Sequence, residues 1–186
     1  MKEKYGPWAL ILGASYGVGA DFARQVAACG IHCILVARRE PALRTLRDEL
    51  EKDYAISTRM LVADLAAEQA AARIVGAVAD LEVNLVIYNA GAPPYASEYL
   101  DAPMKDWKSL LQLNVTTPME LCHLLGPRMI ERGHGGLMLV GSQAGLGGNK
   151  KYSIYTGSKG FMLNLGESLW MESSSKGIDV LNLLIS

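Results

Sequence analysis

The chain has 186 residues and a mass of 20.1 kDa, and its 50% apolar content is enough for a sizeable core in one domain spanning 1–186. A net charge of −1, with basic and acidic residues spread along the sequence, leaves no basic stripe for nucleic acid and no acidic tail. The first apolar run, Trp8 to Leu12, is too short for a signal core or a membrane span, and Cys29, Cys33 and Cys122 cannot all pair, so a soluble cytoplasmic protein with buried free thiols is expected.

Trp8 to Leu12 reads as a fully buried strand, followed by Gly13-Ala14-Ser15-Tyr16-Gly17-Val18-Gly19 and an amphipathic helix to about Ala28. Glycines at this spacing let a backbone turn tightly and approach a pyrophosphate, and the helix start supplies free N–H groups and a positive dipole end. A second strand, residues 32–37, ends in Arg38-Arg39. An acidic side chain at that place would hold a ribose 2′-hydroxyl, whereas arginine accommodates a 2′-phosphate, so NADP(H) is expected over NAD(H). Arg38 takes the larger share of that role; Arg39 also serves as a solvated start to the helix over 40–54, whose leucines fall at 43, 46 and 50.

Residues 59–63 form the third predicted strand, with Asp64-Leu65 at its end. Asp64 either accepts from an adenine amino group or caps a helix over 66–80. The fourth strand, 84–88, runs into Asn89-Ala90-Gly91, and Pro93-Pro94-Tyr95 is a surface loop by composition. Strands alternating with helices predict a Rossmann-like, doubly wound parallel sheet of α/β class with helices on both faces. Pro103 opens a long helical stretch to Arg132, inside which Pro118 cannot donate to the carbonyl of Asn114. The freed carbonyl is expected to hold a water leading toward Lys159, a proton-relay role. His32, His123 and His134 share no metal-ligand spacing, so no metal is expected.

The apolar run 137–140 reads as a buried strand ending at Ser142, where an open α/β sheet places its ligands; the serine hydroxyl can both donate and accept. Tyr155 and Lys159, four residues apart, lie one above the other if a helix starts there. The ammonium favours the phenolate and so suits Tyr155 to proton transfer near neutral pH. Tyr152 competes for that role, but four residues after it comes Thr156. Residues 178–185 are a sixth strand.

Gly13, Gly17 and Gly19, then Asn89-Ala90-Gly91, Asn114, Ser142, and Tyr155 with Lys159, occur in an order that resembles the short-chain dehydrogenase/reductase family over nearly the whole chain. The resemblance implies a hydride-transferring oxidoreductase that interconverts a carbonyl and an alcohol. Tyr155 is then the general acid/base, and Lys159 also holds the nicotinamide ribose. Ser142 stabilises the reacting oxygen, and Asn114 orders the relay. The first turn (Gly13, Ser15, Gly17, Val18, Gly19), the charged strand end (Arg38, Arg39), Asp64 with Leu65, and Asn89, Ala90 and Gly91 would bind the cofactor with Tyr155 and Lys159. It also implies homodimers or homotetramers, with the 103–132 and Phe161 helices at interfaces.

Pro93, Pro94, Tyr95, Leu146 and Tyr152 are expected to line an apolar pocket for a hydrophobic small-molecule ketone. Family members continue past the sixth strand with a Pro-Gly turn, a substrate-covering helix and a last strand, whereas this sequence stops at Ser186. Residues 181–185 are therefore expected to be an apolar sheet edge, belonging to a truncated chain or covered by something else. Two other readings keep the same fold: a catalytically silent nucleotide-binding scaffold, and an epimerase or dehydratase that returns its cofactor unchanged.

Overall fold

The computed structural model describes residues 1–91 and 96–185. Its strands are β1 (Trp8–Leu12), β2 (His32–Ala37), β3 (Thr58–Val62), β4 (Val83–Tyr88), β5 (Gly135–Ser142) and β6 (Ile178–Ile185). They form one parallel sheet in the order β3-β2-β1-β4-β5-β6. The helices are α1 (Lys2–Tyr5), α2 (Val18–Ala28), α3 (Glu40–Tyr54), α4 (Ala70–Ala77), α5 (Met104–Leu111), α6 (Thr117–Arg132) and α7 (Ser153–Ser173). This is the expected Rossmann-like, doubly wound α/β architecture.

Side chains that alternate along each strand enter two separate cores. Leu10, Leu12, Ile34, Val36 and Val86 pack with Ile74, Leu121 and Leu125 of α4 and α6 on one face. Ala9, Ile11, Leu35 and Ile87 pack with Ala23, Val26, Leu43 and Leu46 of α2 and α3 on the other. Burial on both faces is why these strands read as unbroken apolar runs rather than alternating ones. Strand order reverses between β1 and β4, and in such sheets the crevice outside the carboxyl ends at that point receives ligands.

Several expected elements are corrected. The third strand begins one residue earlier, at Thr58, and the helix expected over 66–80 shortens to α4. Gln69, with φ 61°, takes a left-handed conformation there, which stops a helix from running back to Ala66. The Asp64 carboxylate accepts from the Ala66 N–H at 3.0 Å, closing a turn rather than capping a helix. The long 103–132 helix divides into α5, a π-helical turn over Gln112–Thr116, and α6, with Pro118 at the second position of α6. Cys29 is exposed rather than buried. Cys33 and Cys122 are buried free thiols, and burial pushes each up to about 12, so both stay protonated and inert. The Pro93-Pro94-Tyr95 loop lies outside the described residues.

Among the described residues β6 pairs only with β5, and Leu181 and Ile185 on it are 50% and 39% exposed, so the expected apolar edge is present. Its start is clasped by the N-terminal helix: Lys4 Nζ lies 2.6 Å from the Asp179 carboxylate, which also accepts from the Tyr5 hydroxyl. No helix among the described residues is long and apolar enough to cross a membrane.

Leu35 is fully buried in the α2–α3 core. Leu35→Ala is expected to lower unfolding free energy by about 2–5 kcal/mol, read as a shift of the urea midpoint without a change of slope.

Candidate active site

Two clefts meet along the carboxyl edge of the sheet. The first, about 980 Å³, is lined by Gly13 and Ser15 after β1, Arg38 and Arg39 after β2, Asp64 and Leu65 after β3, and Asn89, Ala90 and Gly91 after β4. The turn after β1 is built for close approach. Gly13 has φ +85°, and a Cβ on it would lie 2.8 Å from the Ala90 nitrogen; on Gly19 a Cβ would meet the Gly13 carbonyl at 2.1 Å. Asn89 Nδ2 donates to that same carbonyl at 3.4 Å, fastening the β4 end to the turn. Gly17, at φ +54°, begins α2 with open space on its Cβ side, and no side chain caps the helix. The positive dipole end of α2 thus lies beside the neighbouring cleft, which Gly17 and Val18 line.

These residues fit a dinucleotide: a glycine cradle and an uncapped helix start suit a diphosphate, and two exposed arginines stand where the adenosine ribose would lie. Gly17 and Val18 line the neighbouring cleft, while Gly19 is buried beneath the turn. Arg39, expected to have the lesser role, is the arginine that reaches back to the turn, its guanidinium 3.4 Å from Ser15 Oγ.

The second cleft, about 600 Å³, is lined by Ser142 at the end of β5, by Tyr152, Tyr155 and Lys159 around the start of α7, and by Val140, Ala144 and Ile185. It shares Tyr16, Asn89 and Gly91 with the first. Ser142 begins a 3₁₀ turn, Gln143–Leu146, and its hydroxyl accepts from the Ala144 N–H at 3.2 Å. Lys159 Nζ stands 5.9 Å from the Tyr155 ring centroid and donates to the Val140 carbonyl at 3.3 Å. Burial of Lys159 lowers its pKa from the ordinary 10.5, because water no longer solvates the ammonium. Leu146, expected in an apolar pocket, instead points to solvent with 68% exposure.

Asn114 is placed by the π turn. Thr117 N–H bonds to the Gln112 carbonyl instead of the Leu113 carbonyl, which takes the Tyr88 hydroxyl at 2.5 Å. Thr117 Oγ1 donates to the Leu65 carbonyl at 2.8 Å. The turn is thereby tied to the ends of two strands' loops. Asn114 Nδ2 donates to Ser158 Oγ at 3.1 Å, and Ser158 Oγ donates to the Tyr155 carbonyl at 2.7 Å. Asn114 Oδ1 is buried without a hydrogen-bond partner among the described residues, and a Cβ on Gly91 would lie 3.9 Å from it and 3.8 Å from Lys159 Nζ. Asn114, Gly91 and Lys159 therefore come together.

Sequence reasoning passed over Gly145 and Ser158. A Cβ on Gly145 would meet the Lys159 carbonyl carbon at 2.8 Å and the Gly160 nitrogen at 2.9 Å, so the Ser142 turn can sit against α7 only with glycine there. Nothing in an Ala-Gly-Leu-Gly-Gly run separates that glycine from its loop neighbours. Ser158 adjoins Lys159 on the helix and has no spacing signal of its own. No group of three or more His, Cys, Asp or Glu that could hold a metal occurs among the described residues.

A family model described as short chain dehydrogenase matches residues 7–185. The chain is 31% identical to a very-long-chain 3-oxoacyl-CoA reductase of Meyerozyma guilliermondii, over 98% of this chain and 56% of that protein. It is 29% identical to a 7beta-hydroxysteroid dehydrogenase of Collinsella aerofaciens, over 97% of this chain and 68% of that one. Among solved structures, a short-chain dehydrogenase from Sphingobium yanoikuyae in complex with NADPH superposes with a TM-score of 0.90 at 30% identity, covering 96% of this chain and 70% of that chain. The chain thus spans little more than half the length of the first of these relatives.

Two substitutions test the geometry. Gly145→Ala is expected to push the Ser142 turn off α7 and lower unfolding free energy by about 1–3 kcal/mol, as read by the urea midpoint. Lys159 binds its proton less tightly folded than unfolded, so burying the ammonium costs stability below pH 10.5 and less as pH rises toward it. Lys159→Met is therefore expected to match or exceed the parent's melting temperature at neutral pH, with the gap between the two proteins closing as pH rises.

Proposed function

The chain belongs to the short-chain dehydrogenase family, and on that premise we propose that it is an NADP(H)-dependent oxidoreductase interconverting a carbonyl and an alcohol. One observation carries the reading: Ser142, Tyr155 and Lys159, from two elements, line a single cleft that joins the nucleotide cleft through Tyr16, Asn89 and Gly91. When bound, the nicotinamide supplies or accepts the hydride.

The protein's part is orientation and a proton. The Ser142 hydroxyl, held by the turn it begins, donates to the reacting oxygen and fixes its place. The Tyr155 phenol gives its proton to that oxygen during reduction and takes it back during oxidation. Lys159, shielded from water beside the ring, would help to hold the nicotinamide ribose. Asn114 orders the relay that restores the proton. Arg38 and Arg39 meet a 2′-phosphate, and Asp64 accepts from the adenine amino group. The cleft's Val140, Ala144 and Ile185 favour an apolar ketone, a substrate class in keeping with the hydroxysteroid and very-long-chain oxoacyl names of the two relatives. The exposed Met119, Leu124, Phe161 and Trp170 on α6 and α7 support a homo-oligomer.

Tyr155→Phe is the discriminating variant. It is expected to cut NADP(H)-dependent turnover of an apolar ketone by about a hundredfold or more while leaving NADPH affinity within about twofold, since a lost proton donor touches chemistry rather than binding. Unchanged turnover would remove Tyr155 from the reaction, and absence of turnover in the parent across ketone, aldehyde and alcohol panels would leave the silent scaffold as the reading.

A further inference from the structure

Tyr16 has no part in the chemistry described so far, yet its position is unusual for a large aromatic. It is 79% exposed, sits inside the glycine-rich turn, and is one of three residues shared by both clefts. Its ring lies under the Arg39 guanidinium, with 5.8 Å from Cζ to the ring centroid. The same guanidinium reaches Ser15 Oγ at 3.4 Å. Arg38, its neighbour at the end of β2, makes no hydrogen bond or ring contact to the turn among the described residues, although both arginines line the cleft.

We propose that Tyr16 is a positioning residue for cofactor specificity, holding the Arg39 guanidinium over the first turn so that Arg39, more than Arg38, reads the 2′-phosphate. The proposal rests on the NADP(H) reading above and deepens it. A guanidinium free in solvent samples many rotamers, and binding a phosphate must freeze them. The face of an aromatic ring attracts that cation and restricts it in advance. Ser15 Oγ supplies a second fixed point, leaving the other guanidinium N–H groups for phosphate oxygens. The ring, rather than the phenol hydroxyl, carries the effect, because the contact is between a cation and a π face.

The test is a calorimetric titration of the full chain with NADPH, NADH, 2′,5′-ADP and 5′-AMP, needing no knowledge of the substrate. The parent is expected to prefer the 2′-phosphorylated member of each pair. Tyr16→Ala should reduce that preference by about two- to fivefold, the range of an exposed cation–π contact, and Tyr16→Phe should retain it. Arg39→Ala should lose the preference by about tenfold or more, and Arg38→Ala should lose less. Melting curves check that the exposed substitution leaves the fold intact. A parent without preference for the 2′-phosphate overturns the NADP(H) reading itself. A preferring parent whose Tyr16→Ala variant keeps the full ratio, whose Tyr16→Phe variant loses as much as alanine, or in which Arg38→Ala is the more damaging, overturns the role of Tyr16 and leaves that reading standing.

Discussion

The molecule depends on a backbone approach that no side chain could survive. After β1 the chain turns back so closely on itself and on the end of β4 that a Cβ at Gly13 would touch the Ala90 nitrogen, and one at Gly19 would overlap the Gly13 carbonyl. This contact sets the floor of the cleft and the angle at which α2 leaves the sheet. It also brings Asn89 against the turn, so β1 and β4, the strands between which the sheet reverses order, end as one rigid lip. Both clefts open from that lip.

The second half of the site is assembled by displacement of hydrogen bonds within a helix. In a regular α-helix Thr117 would bond to the Leu113 carbonyl; the π turn shifts that bond back one residue, and the Tyr88 hydroxyl takes the released oxygen. Burial raises the pKa of Tyr88, which keeps the phenol protonated as the donor this arrangement needs. The outcome is that the end of β4 grips the helical segment carrying Asn114, and Asn114 in turn grips α7 through Ser158. Tyr155 and Lys159 are therefore positioned from outside their own helix as well as by it.

Lys159 shows the cost of this construction. An ammonium 8% exposed, with a single long hydrogen bond among the described residues, to the Val140 carbonyl, is a poor contributor to stability. A buried charge that weakens folding is the kind of local conflict that marks a candidate functional position.

The sequence by itself determined the layered α/β fold, because that is written in short-range patterns: apolar runs of strand length and leucines at helical spacing; glycines around a turn and a tyrosine four residues before a lysine marked only part of the candidate site. Tertiary structure alone decided the rest. Arg39 meets Ser15 across 24 positions, Asn114 meets Ser158 across 44, and Gly145 is required by the backbone of Lys159 on another element. The π turn within 103–132 and the shortened α4 likewise follow from bonds to Tyr88, from the Thr117–Leu65 contact and from the left-handed Gln69. Periodicity records which face of a segment is buried; it holds no record of which distant atom occupies the space beside it, and that is settled only when the sheet closes and the two cores pack.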